Sequence, residues 1–362
     1  MYLLFGFAVS FGGYLEATCI DPINRAIIIG LQNISTNNAI VVDGLGRGIA
    51  TMLSFIPVLM CAFVAIAALE HSGYIARAER VVHSLVNKFG LSGKSLITII
   101  IGFGCNVPAI LNTKHLNTRQ ERIQAALMSP FMSCSARLAI YTVFTAAFFP
   151  VNGLNIIFSL YLAGILVAVL TGIMLRGNQK DLPQIATSNS NNKLPEYNLP
   201  NMYNILRSSW RRTRHFLNKA GKIIVPFCII IACLNNTAVD TEHSVLAKIG
   251  KSITPIFQPM GLTQDNWQAS VALLTGVLAK EALVGTLGSL YDAPEGTIET
   301  ALADRFTSKA AAFAYLLFVL LYFPCISVIT AISKELNKKW AAFSVVWTTG
   351  VAYIAATVFY QA

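Results

Sequence analysis

Charge is what this 362-residue chain has least of: Asp, Glu, Lys and Arg together make up 12% of it, with only 17 acidic residues. Soluble domains carry about a quarter charged residues, so an ordinary water-soluble fold is excluded. Residues 48–69, 138–175, 310–333 and 340–362 contain no charged side chain at all. A transmembrane helix needs roughly 20 apolar residues, because each backbone group must be satisfied within the helix. The run 138–175 is long enough for two. Four such runs predict an all-α polytopic membrane protein.

Other scarcities narrow the function. Histidine occurs five times, at His71, His83, His115, His215 and His243, with no metal-ligand spacing. That argues against an integral-membrane metalloenzyme. The seven cysteines form no Cys-x-x-Cys pair, so neither a disulfide framework nor a structural zinc site is indicated. A nucleotide site is missing too. Ser92-Gly93-Lys94-Ser95 looks like the end of a phosphate loop, but Lys88 stands where its first glycine is required. Asp43-Gly44-Leu45-Gly46 has the form of a nucleotide-switch motif but abuts a span. Met1–Leu15 has no basic n-region and no cleavage site, and reads as a span that begins late.

What is present is 55% hydrophobic sequence with a net charge of +10. The excess cations sit in short segments between apolar runs. They therefore read as topogenic charge on the cytoplasmic side and not as a nucleic-acid surface. Apolar elements are predicted at 1–15, 49–69, 95–113, 123–149, 154–175, 220–237, 267–291, 310–333 and 340–361. Pro150-Val151-Asn152-Gly153 predicts a tight hairpin corner. Residues 176–200 and 292–309 read as loops, and 16–48 and 238–266 as outer loops. The stretch 201–219, with Arg207, Arg211, Arg212 and Arg214 among Leu206, Trp210 and Phe216, predicts a basic amphipathic helix on the cytoplasmic leaflet.

Two apolar segments, 95–113 and 310–333, begin and end beside cation-rich loops, which a straight span cannot do. Both contain helix breakers: Gly102-Phe103-Gly104-Cys105-Asn106-Val107-Pro108-Ala109 in one, Tyr322-Phe323-Pro324-Cys325-Ile326-Ser327 in the other. Each carries Phe-x-Cys, and each has a lysine nine residues beyond, Lys114 and Lys334. Upstream, Ile56-Pro57-Val58 and Val225-Pro226-Phe227 occupy comparable places. Two diverged repeats with broken or re-entrant helices are therefore expected, the arrangement that marks a transport site at membrane depth.

Cys105 and Cys325 are the first candidate ligands, since thiolate is a soft donor for Fe(II), Zn(II) or Cu(I) and a broken helix bares carbonyls beside it. A free cysteine is otherwise a small buried hydrophobe. Cys134, within Ser129-Pro130-Phe131-Met132-Ser133-Cys134-Ser135, is a third candidate, with Met132 near it. Cys19, Cys61, Cys228 and Cys233 read as packing. Glu70, Glu281, Arg137 and Lys280 are ionisable groups within or at the ends of apolar runs, a costly placement that usually marks a pathway or a partner. For Arg137 and Lys280, a structural role against a carboxylate or broken-helix carbonyls weighs equally. For Glu70 the plain alternative is a cytoplasmic helix end.

These motifs, in order along the chain, resemble the membrane domain of FeoB-type ferrous iron transport proteins. The resemblance runs through Leu69-Glu70, Ser72–Ala78, Gly90–Ser95, Gly102–Ile110, Arg119–Arg122 and Pro130–Leu138. It continues through Ala279-Lys280-Glu281, Val284–Leu287 and Phe323-Pro324-Cys325. It implies import of Fe2+ across the cytoplasmic (inner) membrane through two Gate repeats. Cys105, Cys134, Cys325, Glu70 and Glu281 become pore candidates, and Asn106 the amide beside the first break. It also implies a GTP-binding domain, which this chain does not contain. GTP would act only through a missing domain or a partner, and the chain reads as the product of a split or truncated gene, or as a fragment. His71 departs from the family, which usually has an acidic residue there.

The expected organisation is a partial first helix and outer loop (1–45) and a first Gate repeat (46–150). A hairpin partner, linker and basic helix (151–218) and a second Gate repeat (219–362) follow. The expected activity is ferrous iron uptake by a transporter that is not an enzyme and holds no permanent cofactor. Its expected partners are Fe2+, lipid, a separate GTP-binding domain, small accessory iron-transport proteins and a second copy of itself, with no nucleic acid. A permease for a nucleoside or other small solute, and a non-transporting remnant of a split gene, are the competing readings.

Overall fold

The computed structural model describes residues 11, 14–34, 46–72, 77, 92–116, 118–175, 201–235, 245–278, 280–291 and 298–362. Among these residues the chain is helical throughout, with short 3-10 or π turns at several helix junctions. The helices are α1 (Asp21–Ile34), α2 (Arg47–His71), α3 (Gly93–Ile101), α4 (Asn106–Asn112), α5 (Arg119–Met128), α6 (Ser135–Phe148), α7 (Gly153–Met174) and α8 (Met202–Asn235). They continue with α9 (Val245–Phe257), α10 (Trp267–Leu278), α11 (Lys280–Leu290), α12 (Ile298–Arg305), α13 (Lys309–Leu321), α14 (Ile326–Glu335) and α15 (Lys338–Gln361). Among the described residues, four segments are long and apolar enough to cross a bilayer: Arg119–Phe148, Gly153–Met174, Lys309–Glu335 and Lys338–Gln361. The protein is a multi-pass, all-helical membrane protein.

Burial sorts these segments into centre and periphery. Of the apolar window in Lys309–Glu335, 67% is buried, against 28% for α7 and 22% for α15. The broken α13–α14 pair is thus the most buried of the four. The single-helix spans turn Leu162, Leu166, Leu170, Val346, Ile354 and Val358 outward, as lipid-facing helices do. The core beside α13 is aromatic: the Phe144 and Tyr315 rings stack at 5.3 Å, and Phe306 meets Tyr315 edge-on at 5.4 Å. This ties α6, α12 and α13 together.

The local sequence accounts for the breaks. Ser92 caps α3 by accepting from the Ser95 N–H, and Ser308 caps α13 by accepting from Ala311. Both caps satisfy an orphan donor at the start of an apolar helix. α3 then ends before Gly102 and α13 before Tyr322-Phe323-Pro324, and each chain restarts one short turn later. α13 is 13 residues long and α3 nine, about one helical turn of difference. Beyond the breaks the halves run in parallel again: Thr118 caps α5 and Asn337 caps α15. Here the halves diverge. α15 is continuous for 24 residues, whereas the matching stretch of the first half is interrupted between α5 and α6.

The helices carrying Pro57 and Pro226, α2 and α8, pack along each other. The Thr213 hydroxyl points at the Met60 sulfur, and Gly221 leaves room for the Met52 side chain.

Two expectations differ from what is observed. The basic segment 201–219 and the apolar segment 220–237 form one helix, α8, of 34 residues. A lone Gly221 between them is too weak a breaker to divide it. Arg207, Arg211, Arg212 and Arg214 are exposed on that helix, over buried Ile205, Ser209 and Thr213. Segments read as loops contain α1, α9 and α12, short helices whose apolar faces gain stability from tertiary packing. The apolar element 1–15 falls almost wholly outside the described residues.

Candidate functional site

Three helix interruptions share one feature: a cysteine ends each. Cys105 is the N-cap of α4, Cys134 of α6 and Cys325 of α14. None of the three is in a disulfide, and all three are partly accessible. α4 packs directly on α14. The seam joins Ile110, Val328, Ala331 and Ile332, all buried, with Val107 and Cys325 at its edge. The two halves of the molecule therefore meet through the helices that restart at Cys105 and Cys325.

Breaking a helix in a bilayer strands backbone carbonyls, and each needs a donor. At the first break the N–H groups of Gly102, Phe103, Gly104 and Cys105 fold back onto the carbonyls of Ile99, Ile100 and Ile101. The Asn106 side chain lies among the carbonyls of Gly102, Ser129 and Met132. With its nitrogen turned toward the first two it donates at 3.0 Å to Gly102 O and 2.8 Å to Ser129 O, which satisfies both. Gly102 is required by this closeness: a Cβ there would sit 2.8 Å from Ile99 O and 2.9 Å from the Asn106 amide. Asn106 thus links the Cys105 break to the Cys134 break.

Arg137, 2% exposed, donates from Nη1 to Pro130 O at 2.7 Å and to Met132 O at 3.1 Å. Lys280, 4% exposed, does the equivalent at the third break. Its Nζ donates to Phe323 O at 2.9 Å and lies 3.4 Å from the centroid of the Tyr322 ring. Of the two expectations held for these cations, the structure puts both on broken-helix carbonyls. Met132 contributes its carbonyl to this arrangement, while its side chain is packed in the core.

Two further groups were invisible from the sequence. Tyr322 hydrogen-bonds from its hydroxyl to Leu273 O at 3.1 Å, across 49 residues. It fits only because Gly276 has no side chain, since a Cβ there would overlap the tyrosine hydroxyl. An aromatic wall runs from Phe103 over Tyr161, stacked at 6.0 Å, to Tyr141, whose hydroxyl lies 3.2 Å from the Ser133 hydroxyl. The one available signal was the position of Phe103 and Tyr322 beside the breakers.

The acidic candidates are placed by backbone only. Glu70 is at the end of α2 and Glu281 in the first turn of α11, and both side chains lie outside the described residues. Among the described residues no three His, Cys, Asp or Glu side chains gather into a cluster that could hold a metal ion. Cys19 and Cys233 are exposed, Cys61 is half-buried, and the Cys228 side chain lies outside the described residues.

The Gate family, described as "Nucleoside recognition", matches residues 52–148 and 217–339. The chain is 41% identical over its full length to an Fe(2+) transporter FeoB of Legionella pneumophila (strain Lens), and covers 56% of that protein. It is 37% identical, again over its full length, to an Fe(2+) transporter FeoB of Salmonella paratyphi A, covering 55%. The chain thus spans about half the length of the curated relatives it matches. Among solved structures, CNTnw in an outward-facing state superposes with a TM-score of 0.51 at 13% identity, over 99% of this chain and 89% of that one. That likeness concerns the fold alone.

Proposed function

The chain belongs to the Gate family, and on that premise we propose that it is the permeation part of a ferrous iron importer of the cytoplasmic membrane. The observation that carries this reading is the packing of α4 on α14, each helix opening at a cysteine. Two polarised helix starts bring partly accessible sulfur into the middle of a membrane protein, where a soft or borderline divalent metal finds donors that water does not supply. Iron as the metal is supported by the relatives, Fe(2+) transporters matched over the whole of this chain.

In this reading Cys105, Cys325 and Cys134 are successive ligands on the path, and Glu70 and Glu281 add negative charge near its ends. Asn106, Arg137 and Lys280 hold the carbonyls of the breaks in place. A transported ion must leave as readily as it enters, so few ligands at a time and several weak sites suit the task better than one closed cage. The chain is a transporter and catalyses no reaction of its own. GTP acts through a separate GTP-binding domain or partner, with accessory iron-transport proteins and a second copy of the chain as further partners.

The test is uptake of radiolabelled Fe2+ by cells lacking other iron importers, with the chain expressed alone and beside a GTP-binding partner. Cys105→Ser and Cys325→Ser are each expected to lower uptake several-fold while the protein still reaches the membrane. Unaltered uptake in both variants would end the cysteine path. A second reading, a permease for nucleosides, is favoured by the description of the family itself. Nucleoside uptake in the same cells, or competition of Fe2+ uptake by nucleosides, would support it.

A further inference from the structure

We propose that the outer end of the α4–α14 seam binds an anionic phospholipid, whose headgroup ties the two halves of the molecule together at the bilayer surface. α4 and α14 each run away from a break, and Val107 and Cys325 near their starts pack on the same buried cluster as Ile110 and Ile332. That cluster extends to Ala341 in the first turn of α15, with Leu336 and Trp340 against it. The segments that leave the seam are therefore neighbours: Thr113–His115 after α4, and 333–339 between α14 and α15.

These segments are basic. Lys114, Lys334, Lys338 and Lys339 are all exposed on them. Residues 106–116 hold no carboxylate, and 326–341 hold one, the half-buried Glu335. None of the four lysines meets a carboxylate among the described residues. Lys114 comes from the first half of the chain and the other three from the second. Cations converging from two directions repel each other unless an anion is placed between them.

What lies beside the lysines identifies the anion. α15 is a lipid-facing span with 22% of its apolar window buried, and Phe343 and Val346 are exposed just beyond its basic first turn. Trp340 meets Phe343 edge-on at 5.6 Å. Tryptophan and lysine at the end of an apolar span is the pairing found at headgroup level. On α4, Leu111 is 40% exposed about one turn before Lys114. A phosphodiester headgroup answers the ammonium groups, and acyl chains answer this apolar flank. Free phosphate would leave the flank uncovered, and an acidic protein segment would have to enter hydrocarbon to cover it. Because the headgroup is held from both halves, its binding stabilises the folded molecule by mass action.

The purified whole chain in a neutral detergent tests this, and the outcome does not depend on what the chain transports. Phosphatidylglycerol added to the micelles should raise the thermal midpoint, and phosphatidylcholine at the same mole fraction should not. Each lysine removed should weaken phosphatidylglycerol binding roughly fivefold. The double variant Lys338→Gln/Lys339→Gln should therefore lose most of the rise, and Lys114→Gln part of it. Lys248→Gln/Lys251→Gln removes the same charge from exposed positions on α9 and should keep the full rise. A variant that starts from a lower midpoint is read by native mass spectrometry, as the fraction of protein retaining phosphatidylglycerol. Equal stabilisation by the two lipids overturns the proposal, and so does an equal loss in the α9 variant. Inorganic phosphate or polyglutamate stabilising as strongly as phosphatidylglycerol overturns the lipid assignment.

Discussion

Arg137 reaches back five residues to hold the carbonyl oxygen of Met132 at 3.1 Å, closing the break from which its own helix starts. With Pro130 O also bound at 2.7 Å, one guanidinium serves two carbonyls that the interrupted helix leaves without N–H donors. A buried carbonyl without a donor is costly in lipid, and hydrogen bonds from a charged group are worth about 1.5–3 kcal/mol each. Arg137→Leu is therefore expected to destabilise the protein by about 2–4 kcal/mol, with Arg137→Lys recovering part through a single donor group. Thermal unfolding of the detergent-purified protein measures this. An unchanged midpoint for the leucine variant would show that the break does not depend on the guanidinium.

Glycines of the lipid-facing helices separate into two kinds. A Cβ on Gly164 would meet Phe131 O at 2.7 Å, while a Cβ on Gly350 finds nothing within 4 Å. Gly164→Ala must push α7 away from the Ser129–Phe131 turn and should cost about 1–3 kcal/mol, the range for overpacking a tight contact. Gly350→Ala should be neutral or slightly stabilising, since alanine is the better helix former by about 1 kcal/mol. The same unfolding assay distinguishes them, and equal behaviour of the two variants would contradict the close approach of α7.

Most of the helical framework was legible because the bilayer imposes it. Charge-free runs mark α2, α7, α13 and α15, and Gly102, Pro108 and Pro324 mark the interruptions. The continuity of α8 was not legible: hydropathy reports whether water or lipid faces a residue, so the change at 219–220 looked like an end although the backbone runs on. The partners of the buried cations were half legible. Arg137 finds its carbonyls locally, five and seven residues away, but Lys280 crosses 43 residues to Phe323 and Tyr322 crosses 49 to Leu273. No local pattern encodes such pairs, since they arise from how α10, α11 and α13 pack.

The seam between the two halves offers a test of whether the breaks act together. Ile110 on α4 and Ile332 on α14 are fully buried in it. Ile110→Ala opens a cavity there and should cost about 2–4 kcal/mol. If α4 and α14 share one path, the loss should appear as lowered Fe2+ uptake even with Cys105 and Cys325 intact. Ile157→Ala, at a half-buried position on α7, supplies a comparison of similar chemistry away from the seam. Uptake falling equally in both variants at equal protein level would mean general destabilisation and no special role for the α4–α14 contact.

Tyr322 allows its two contacts to be separated. Its hydroxyl bonds to Leu273 O, while its ring lies under the Lys280 ammonium that holds Phe323 O. Tyr322→Phe removes only the hydroxyl and should cost about 1 kcal/mol, in keeping with side-chain hydrogen bonds in membrane proteins. Tyr322→Leu also removes the aromatic face and should cost about 1–2 kcal/mol more, because a desolvated cation–π contact is lost and Lys280 is less firmly held. The functional outcome should separate as well: Fe2+ uptake is retained in the phenylalanine variant and lowered in the leucine variant. If both variants transport alike, the ring has no part in positioning Lys280, and Phe323 O alone must hold the ammonium in place.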